Sequence, residues 1–393
     1  MNNYSFTLFD DEYWQNLLPF TFTRPACEIR TGILTIREKW EYHLNGNANF
    51  LTQNYLAEKF SFSNTQSNLY VNGRCFPSES LLNIIKQLKE DESYFQNEIL
   101  IAGKTSVPVN DFENLKTYDW KIVNQLDDCN LLNEVWEIYK NNHQQIDSDF
   151  KLIAKGRKSQ PLSSSNFIKD PSKIFLEEGA RVEFAFLNTD DGPIYVGKNA
   201  HIMEGAMIRG PFSLGENSEV KMGTKIYTGT TIGPHCKVGG EINNSVIFGF
   251  SNKAHDGFLG NSVIGEWCNL GADTNNSNLK NDYSQVKLWN YKSQKFVNTN
   301  QQFCGLMMGD HSKSGINTMF NTGTVIGVCS NIFGDGFPRN YIPNFSWGGA
   351  AGLTTYQLDK AFKVAELVMK RREVQFNDKD KRILNHIFEN FKN

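Results

Sequence analysis

The 393-residue sequence has no charge excess of either sign: 40 Lys and Arg stand against 43 Asp and Glu, for a formal net charge of −3. Binding to a phosphate backbone or an anionic membrane rests on a basic surplus, so neither nucleic acid nor membrane is expected as a partner. It also lacks any uninterrupted apolar run near the roughly 18 residues that a membrane span needs. The opening MNNYSFTLFDDEYWQ carries neither a basic segment nor an apolar one, so no secretory signal is read. The seven cysteines include no CxxC pair and are odd in number. That argues against a disulfide scaffold and a structural zinc site, and it suits a reducing cytoplasm. No metal ligand set is assigned. What the chain does have is packing material, with 29 Phe among 13% aromatic residues, which excludes a largely disordered chain.

The strongest internal signal is a period of six. Val196, Ile202, Ile208, Leu214, Val220, Ile226, Ile232 and Val238 fall in constant register. The pattern slips near Glu241 and resumes as Val246, Asn252, Phe258, Ile264 and Leu270. It slips again across 276–306 and returns as Met308, Ser314, Phe320, Ile326 and Ile332. Six is neither the helical nor the strand period. It fits a short strand and a turn, one inward aliphatic per face, and three faces to an 18-residue coil of a parallel β-helix. Gly or Asn at the corners would supply the positive φ that tight turns need. The long polar excursion at 276–306 speaks against a purely structural solenoid, because loops on rigid scaffolds are where binding residues concentrate.

Residues 1–165 read differently. YSFTLFD, NLYVNG and QNEILIAG are strand candidates, and SESLLNIIKQLKE and LLNEVWEIYKNNHQQIDSDF are helix candidates. The alternation predicts an α/β layer on a parallel sheet. SQPLSSSNFIKDPS reads as a linker. The β-helix is expected over 171–348, and 353–393 as a helical tail. In the tail Leu358, Phe362, Ala365 and Met369 share one face, and Ile383, Leu384, Ile387, Phe388 and Phe391 share another.

The hexapeptide register resembles the left-handed β-helix acyltransferases. The order α/β domain, β-helix, tail resembles the GlmU-like bifunctional uridyltransferase/acetyltransferases, in a variant with a shortened first domain. NKAHDGFLGNSVIGEWCNLGADTNNSN is similar to that family's acetyltransferase stretch. The resemblance implies His255 as catalytic base with Glu241 supporting it. It implies Asn269, Phe258, Lys253 and Asn278 on the substrate side, and Ala272, Ile316 and Gly334 on the acetyl-CoA side. Phe258 stands where the family has Tyr. The family's phosphate-binding cations have no direct match, and Lys237, Lys253, Lys280 or Lys313 could replace their charge. The chemistry suits these residue types: an imidazole with an ordinary pKa near ~6.5 can take a proton from an attacking amine at neutral pH. A carboxylate on its other nitrogen would fix the tautomer. None of the cysteines needs a catalytic role.

LLPFTFTRPACEIRTG resembles the LxPLTxxRP segment of sugar-phosphate nucleotidyltransferases. The family's glycine-rich phosphate loop is absent, and Asp11, Glu12 and Tyr13 follow the first strand instead. Arg74 stands where the family has a metal-binding Asp. Arg24, Arg30 and Arg74 remain as candidate nucleotide-binding cations, with Mg²⁺ and UTP or dTTP as the implied co-substrates. The resemblance implies a cytoplasmic homotrimer that transfers acetyl groups to an amino-sugar phosphate resembling glucosamine-1-phosphate. Two alternatives stand beside it: a fully bifunctional enzyme making UDP-N-acetylglucosamine, and a non-catalytic nucleotide-sugar-binding relic.

Overall fold

The structure is a computed structural model and describes residues 5–61, 68–125 and 129–391. Tyr4, counted in the expected first strand, lies outside them. The chain divides into two compact units: Met1–Leu17 with Thr23–Ile29 and Leu34–Glu134, and Leu18–Phe22 with Arg30–Ile33 and Val135–Asn393.

The first unit carries six strands: β1 (Ser5–Phe9), β2 (Asn47–Leu51), β3 (Leu69–Asn72), β4 (Glu92–Gln96), β5 (Ile99–Lys104) and β6 (Lys121–Gln125). They form one sheet in the order β2-β1-β3-β5-β4-β6. The β1–β2, β1–β3 and β4–β6 pairs are parallel, but β3–β5 and β4–β5 are antiparallel. The expected all-parallel sheet is therefore a mixed one. The cause is local: Asn97 and Glu98, both at positive φ, join β4 and β5 in a two-residue hairpin. Phe9, Tyr70, Leu100 and Leu115 pack into the core on one side of this sheet. Cys75 and Cys129 are joined as a disulfide, a pairing that the scattered cysteine spacing does not suggest.

The second unit is a parallel β-solenoid. Val196, Leu214 and Ile232 stack on a first face, Ile202 and Val220 on a second, and Leu187, Ile208 and Ile226 on a third. All eight aliphatics from Val196 to Val238 are buried in one continuous core. Each coil adds the same burial, at about 1.5–3 kcal/mol per large aliphatic, so stability accumulates along the axis.

Past Val238 the register differs from the expected one. The corner between Lys237–Val238 and Glu241–Asn243 holds only Gly239 and Gly240, where the next coil has 254–257. The pairs Ile232 with Ile247, Val238 with Lys253 and Ile242 with Leu259 then put Ile247, Lys253 and Leu259 inward. The six-residue count had assigned those places to Val246, Asn252 and Phe258. In a strand a one-residue offset exchanges the faces.

The excursion leaves the third face after Asn276 and the solenoid resumes at Leu306, with Ile264 paired to Met308. It carries an antiparallel hairpin, Lys287–Asn290 with Lys295–Asn298. Val286 and Leu288 are fully buried, and Trp289 stacks on Tyr341 of the first face at 4.2 Å.

Helix 142–154, expected in the first domain, packs on the solenoid's first face. There the Asn142 amide donates to Gly229 O and accepts from Thr231 Oγ1. The expected linker contains the solenoid's first strand, Phe167–Ile168. The helices Leu358–Lys370 and Asp378–Asn390 form where the helical period places them. The first lines a crevice on the second face with Lys313 and Asn331. Beyond its end, the Arg372 guanidinium donates to Asn252 Oδ1. The third face keeps its outer row in solvent. Phe167 and Phe186 stack at 4.8 Å while exposed, and Met207 and Tyr227 are exposed too.

Candidate active site at a solenoid corner

The second face turns into the third through a corner that follows each inward residue. Lys253, Leu270, Ser314 and Ile332 occupy that inward column on successive coils. Two residues beyond each stand His255, Ala272, Ile316 and Gly334, which therefore form one row along the corner. His255 is exposed, Ile316 is 72% exposed, and a side chain on Gly334 would meet nothing within 4 Å. The candidate base and all three candidate acetyl-CoA positions thus share one edge.

Gly240 lies at this corner on the coil before His255. Its φ is +77°, and a Cβ there would come within 2.6 Å of Gly257 O and 3.0 Å of His255 O. The shortened corner therefore works only with glycine, and it lets the His255 corner stand proud of its neighbour. Sequence reasoning gave Gly240 no role, although the paired glycines at the register slip were the available signal.

Phe258 lies on the third face beside Glu241. A Cβ on Gly260 would contact both the Phe258 ring and the Asn278 amide, so these two substrate candidates border the same spot. Asn278 donates to Asn261 Oδ1 at 2.8 Å. Two residues absent from the expected site hold this strand: Asn275 Oδ1 accepts from Phe258 N, and buried Asn276 accepts from Gly260 N and donates to Gly260 O. Asn269 faces out on the second face, in register with Asn252 and Lys313. It therefore stands around the corner from Phe258 and Asn278. No hydrogen bond joins the His255 imidazole to Glu241, or to any other side chain among the described residues. The expected orienting pair is thus not formed within one chain.

The four candidate lysines are all engaged. Lys237 pairs with Glu219, Lys280 donates to Ser284 Oγ and Gln285 O, and Lys313 donates to His311 O. Lys253 requires a correction. It was expected on the substrate side, but it is 1% exposed and points into the core. Its ammonium donates to His255 O at 2.6 Å and Asp256 O at 3.0 Å. Burial brings its pKa down to about 8, and the Asp256 and Asp273 carboxylates act against that fall.

In the first unit Arg74 also requires a correction. It is fully buried, and its guanidinium donates to both Asp11 carboxylate oxygens at 2.8 and 2.5 Å, to Leu132 O and to Asn133 Oδ1. Four of its five N–H donors and its charge are engaged inside the unit, and the side chain is fully buried, which does not suit phosphate binding. Arg24 is buried, with Nη2 3.5 Å from Thr23 Oγ1. Arg30 belongs to the second unit, where it donates to Ile33 O. The three cations therefore do not converge within one unit. Asp10 accepts from Ala26 N at 2.9 Å and Thr52 Oγ1 at 2.6 Å, pinning the segment after Arg24 and Pro25. Burial lifts its pKa to about 6. Among the described residues no cluster of three or more His, Cys, Asp or Glu could hold a metal ion. With Asp11 bound to Arg74, the strand end does not fit the Mg²⁺ that the resemblance implied.

These features define a two-part class: a nucleotidyltransferase-type α/β domain followed by a hexapeptide-type β-solenoid. Residues 6–158 match the sugar nucleotidyl transferase family, and the chain is GlmU-like. It is 31% identical over 261 residues to a bifunctional sugar-1-phosphate nucleotidylyltransferase/acetyltransferase of Sulfurisphaera tokodaii, covering 65% of this chain and 58% of that one. It is 33% identical over 135 residues to the bifunctional protein GlmU of Methanococcus aeolicus, covering 34% and 28%. The chain thus spans under two thirds of the length of either relative. Among solved structures, an Arabidopsis UDP-N-acetylglucosamine acyltransferase is 14% identical, covering 54% of this chain and 80% of that one, with a TM-score of 0.25.

Proposed function

We propose that the solenoid is an acetyl-CoA-dependent N-acetyltransferase acting on an amino-sugar phosphate. The observation that carries this reading is the single corner row of His255, Ala272, Ile316 and Gly334, with Phe258 and Asn278 close by. An exposed, partly apolar edge with open space at Gly334 suits a slender extended chain such as the pantetheine arm of acetyl-CoA. The His255 imidazole takes a proton from the acceptor amine as its nitrogen attacks the thioester carbonyl. The C–N bond forms, the C–S bond breaks, and the imidazolium returns the proton to the leaving thiolate.

The bare third face supports a homotrimer. The first face is covered by helix 142–154 and the excursion, and the second by the C-terminal helix. The third leaves Phe167, Phe186, Met207 and Tyr227 exposed beside Glu241 and Phe258. A neighbouring solenoid on that face would cover Phe167, Phe186 and Met207, meet Lys225 and Glu241 farther along the same row, and complete the site, and cyclic symmetry would close three such contacts.

A second reading, that the first unit also transfers nucleotides to make UDP-N-acetylglucosamine, is favoured by the family match over 6–158. The Arg74–Asp11 pair weighs against robust Mg²⁺-dependent chemistry there. The test is mass spectrometry of amino-sugar phosphates incubated with acetyl-CoA, with and without UTP or dTTP plus Mg²⁺. An acetylated sugar phosphate without nucleotide is expected, together with a trimeric mass in solution. Absence of acetylation across the acceptor panel would overturn the proposal, and robust pyrophosphate release would favour the second reading.

A further inference from the structure

The interior lysine has a consequence for that activity. Every neighbour of Lys253 in its column on the adjacent coils is apolar, Val238 on one side and Leu270 on the other. A buried ammonium is costly unless strong acceptors surround it. The acceptors here are two consecutive carbonyls, His255 O and Asp256 O. Those two oxygens belong to the corner that carries the proposed base. A trans peptide directs its N–H away from its C=O. The Asp256 and Gly257 N–H groups therefore point away from the interior ammonium, and neither has a protein acceptor among the described residues.

We propose that Lys253 is a positioning residue: it clamps the His255–Gly257 corner from inside the solenoid, fixing the imidazole and the two outward N–H groups against the substrate. The proposal rests on the acetyltransferase reading of His255. A geometric clamp is needed at this point because the corner is held only in part: Asp256 O and Gly257 O accept from Asp273 N and Glu241 N, but Asp256 N and Gly257 N make no bond like those of Gly223 N to Glu204 O and Thr224 N to Lys221 O on an earlier coil. The coil before it is shortened at Gly239–Gly240, and a cation bridging two carbonyls restores the lost rigidity. Near-attack geometry is sensitive to such support, since a 1 Å misplacement can cost about a hundredfold in rate.

The test is Lys253→Met in the 393-residue chain, which replaces the ammonium with an apolar side chain suited to the column. Three readings are taken: thermal stability, amide hydrogen exchange without substrate at Asp273 and Glu241, whose N–H groups bond to Asp256 O and Gly257 O of the corner, and acetyl transfer from acetyl-CoA to glucosamine-1-phosphate. The expected result is unchanged or higher stability, exchange at Asp273 and Glu241 about tenfold or more faster, and exchange at Val220 and Ile326 unaltered. In acetyl transfer kcat falls about tenfold to a hundredfold, and KM for acetyl-CoA stays within about twofold. Wild-type kcat in the variant, or unchanged exchange at Asp273 and Glu241, would overturn the proposal. If Lys253→Met fails to fold, Lys253→Leu carries the same readings. Failure of both to fold would make the lysine merely structural and also overturn it. A wild-type chain without acetyl transfer overturns the function proposed for His255, and the exchange ratio alone then upholds or overturns the clamp.

Discussion

Arg74 in the first unit and Lys253 in the second are both buried beside a candidate site, and the two cations do opposite things. Arg74, just past β3, meets the Asp11 carboxylate in a two-pronged ion pair, so both charges cancel and the strand end is closed upon itself. Lys253 meets only carbonyl oxygens, and the side chain of the residue it clamps, His255, stays in solvent. A carboxylate partner consumes a cation. Carbonyl partners put its charge to use in shaping the backbone. The comparison separates a site that has been sealed from one that has been propped open.

The largest test strikes the open site. His255→Ala should lower kcat for acetyl transfer by about 10²–10⁴-fold, the usual weight of a general base, with acetyl-CoA affinity nearly intact. Glu241→Gln should cost far less, because no hydrogen bond ties it to the imidazole within one chain. Steady-state kinetics on the acetylated acceptor decide both, and wild-type turnover in His255→Ala would remove the distinction between the two sites.

The next test strikes the sealed one. Arg74→Met leaves the Asp11 carboxylate buried without its counter-ion, which typically costs about 3–5 kcal/mol. Urea unfolding followed by probes in the first unit should show that loss, and adding Asp11→Leu should recover most of it. A neutral Arg74→Met would mean that the pair does not close the strand end.

The smallest effect lies behind the sealed site, at Asp10. Its folded pKa of about 6 exceeds the ordinary carboxylate value, so the fold favours the protonated form. This group's contribution is most favourable below about pH 4 and is lost as pH rises towards 6, by about 2–3 kcal/mol at most. Asp10→Asn keeps an acceptor for Ala26 N and should flatten that slope. Unfolding free energies of both proteins across pH 4–7 would show it, and parallel curves would contradict it.

The regular part of the solenoid was legible from sequence because Val196 to Val238 obey one period and bury one face each. Legibility ended at Gly239, where a corner shortened by two residues moved the register. From there the six-residue count assigned Phe258 inward and left Lys253 for the substrate, although lysine is the last residue that periodicity would put inside a core. The corner row was recoverable from the resemblance at His255 and Ala272. Asn275 and Asn276 were not, since they replace strand pairing with amide hydrogen bonds that leave no hydrophobic trace. In the first unit YSFTLFD and NLYVNG match β1 and β3, but QNEILIAG runs across the end of β4 and the hairpin at Asn97–Glu98, which has no glycine to announce it. The Arg74–Asp11 pair joins residues distant in sequence, so no local pattern could reveal it.

The excursion between Asn276 and Leu306 bears on how the chain tolerates change. Ile264 meets Met308 across it as if the intervening residues were not there. Lengthening a closed loop costs only about 0.6 kcal/mol per doubling. Here the coil from Ile264 to Met308 takes 44 residues, where Val196 to Leu214 takes 18, a penalty of about 1 kcal/mol. Burying Val286 and Leu288 offsets more than that at about 1.5–3 kcal/mol each. The solenoid can therefore accept inserted sequence at a corner, let it acquire its own small core, and continue the stack unaltered. Divergence among such chains should concentrate in these side branches, while the coils that bear them stay countable.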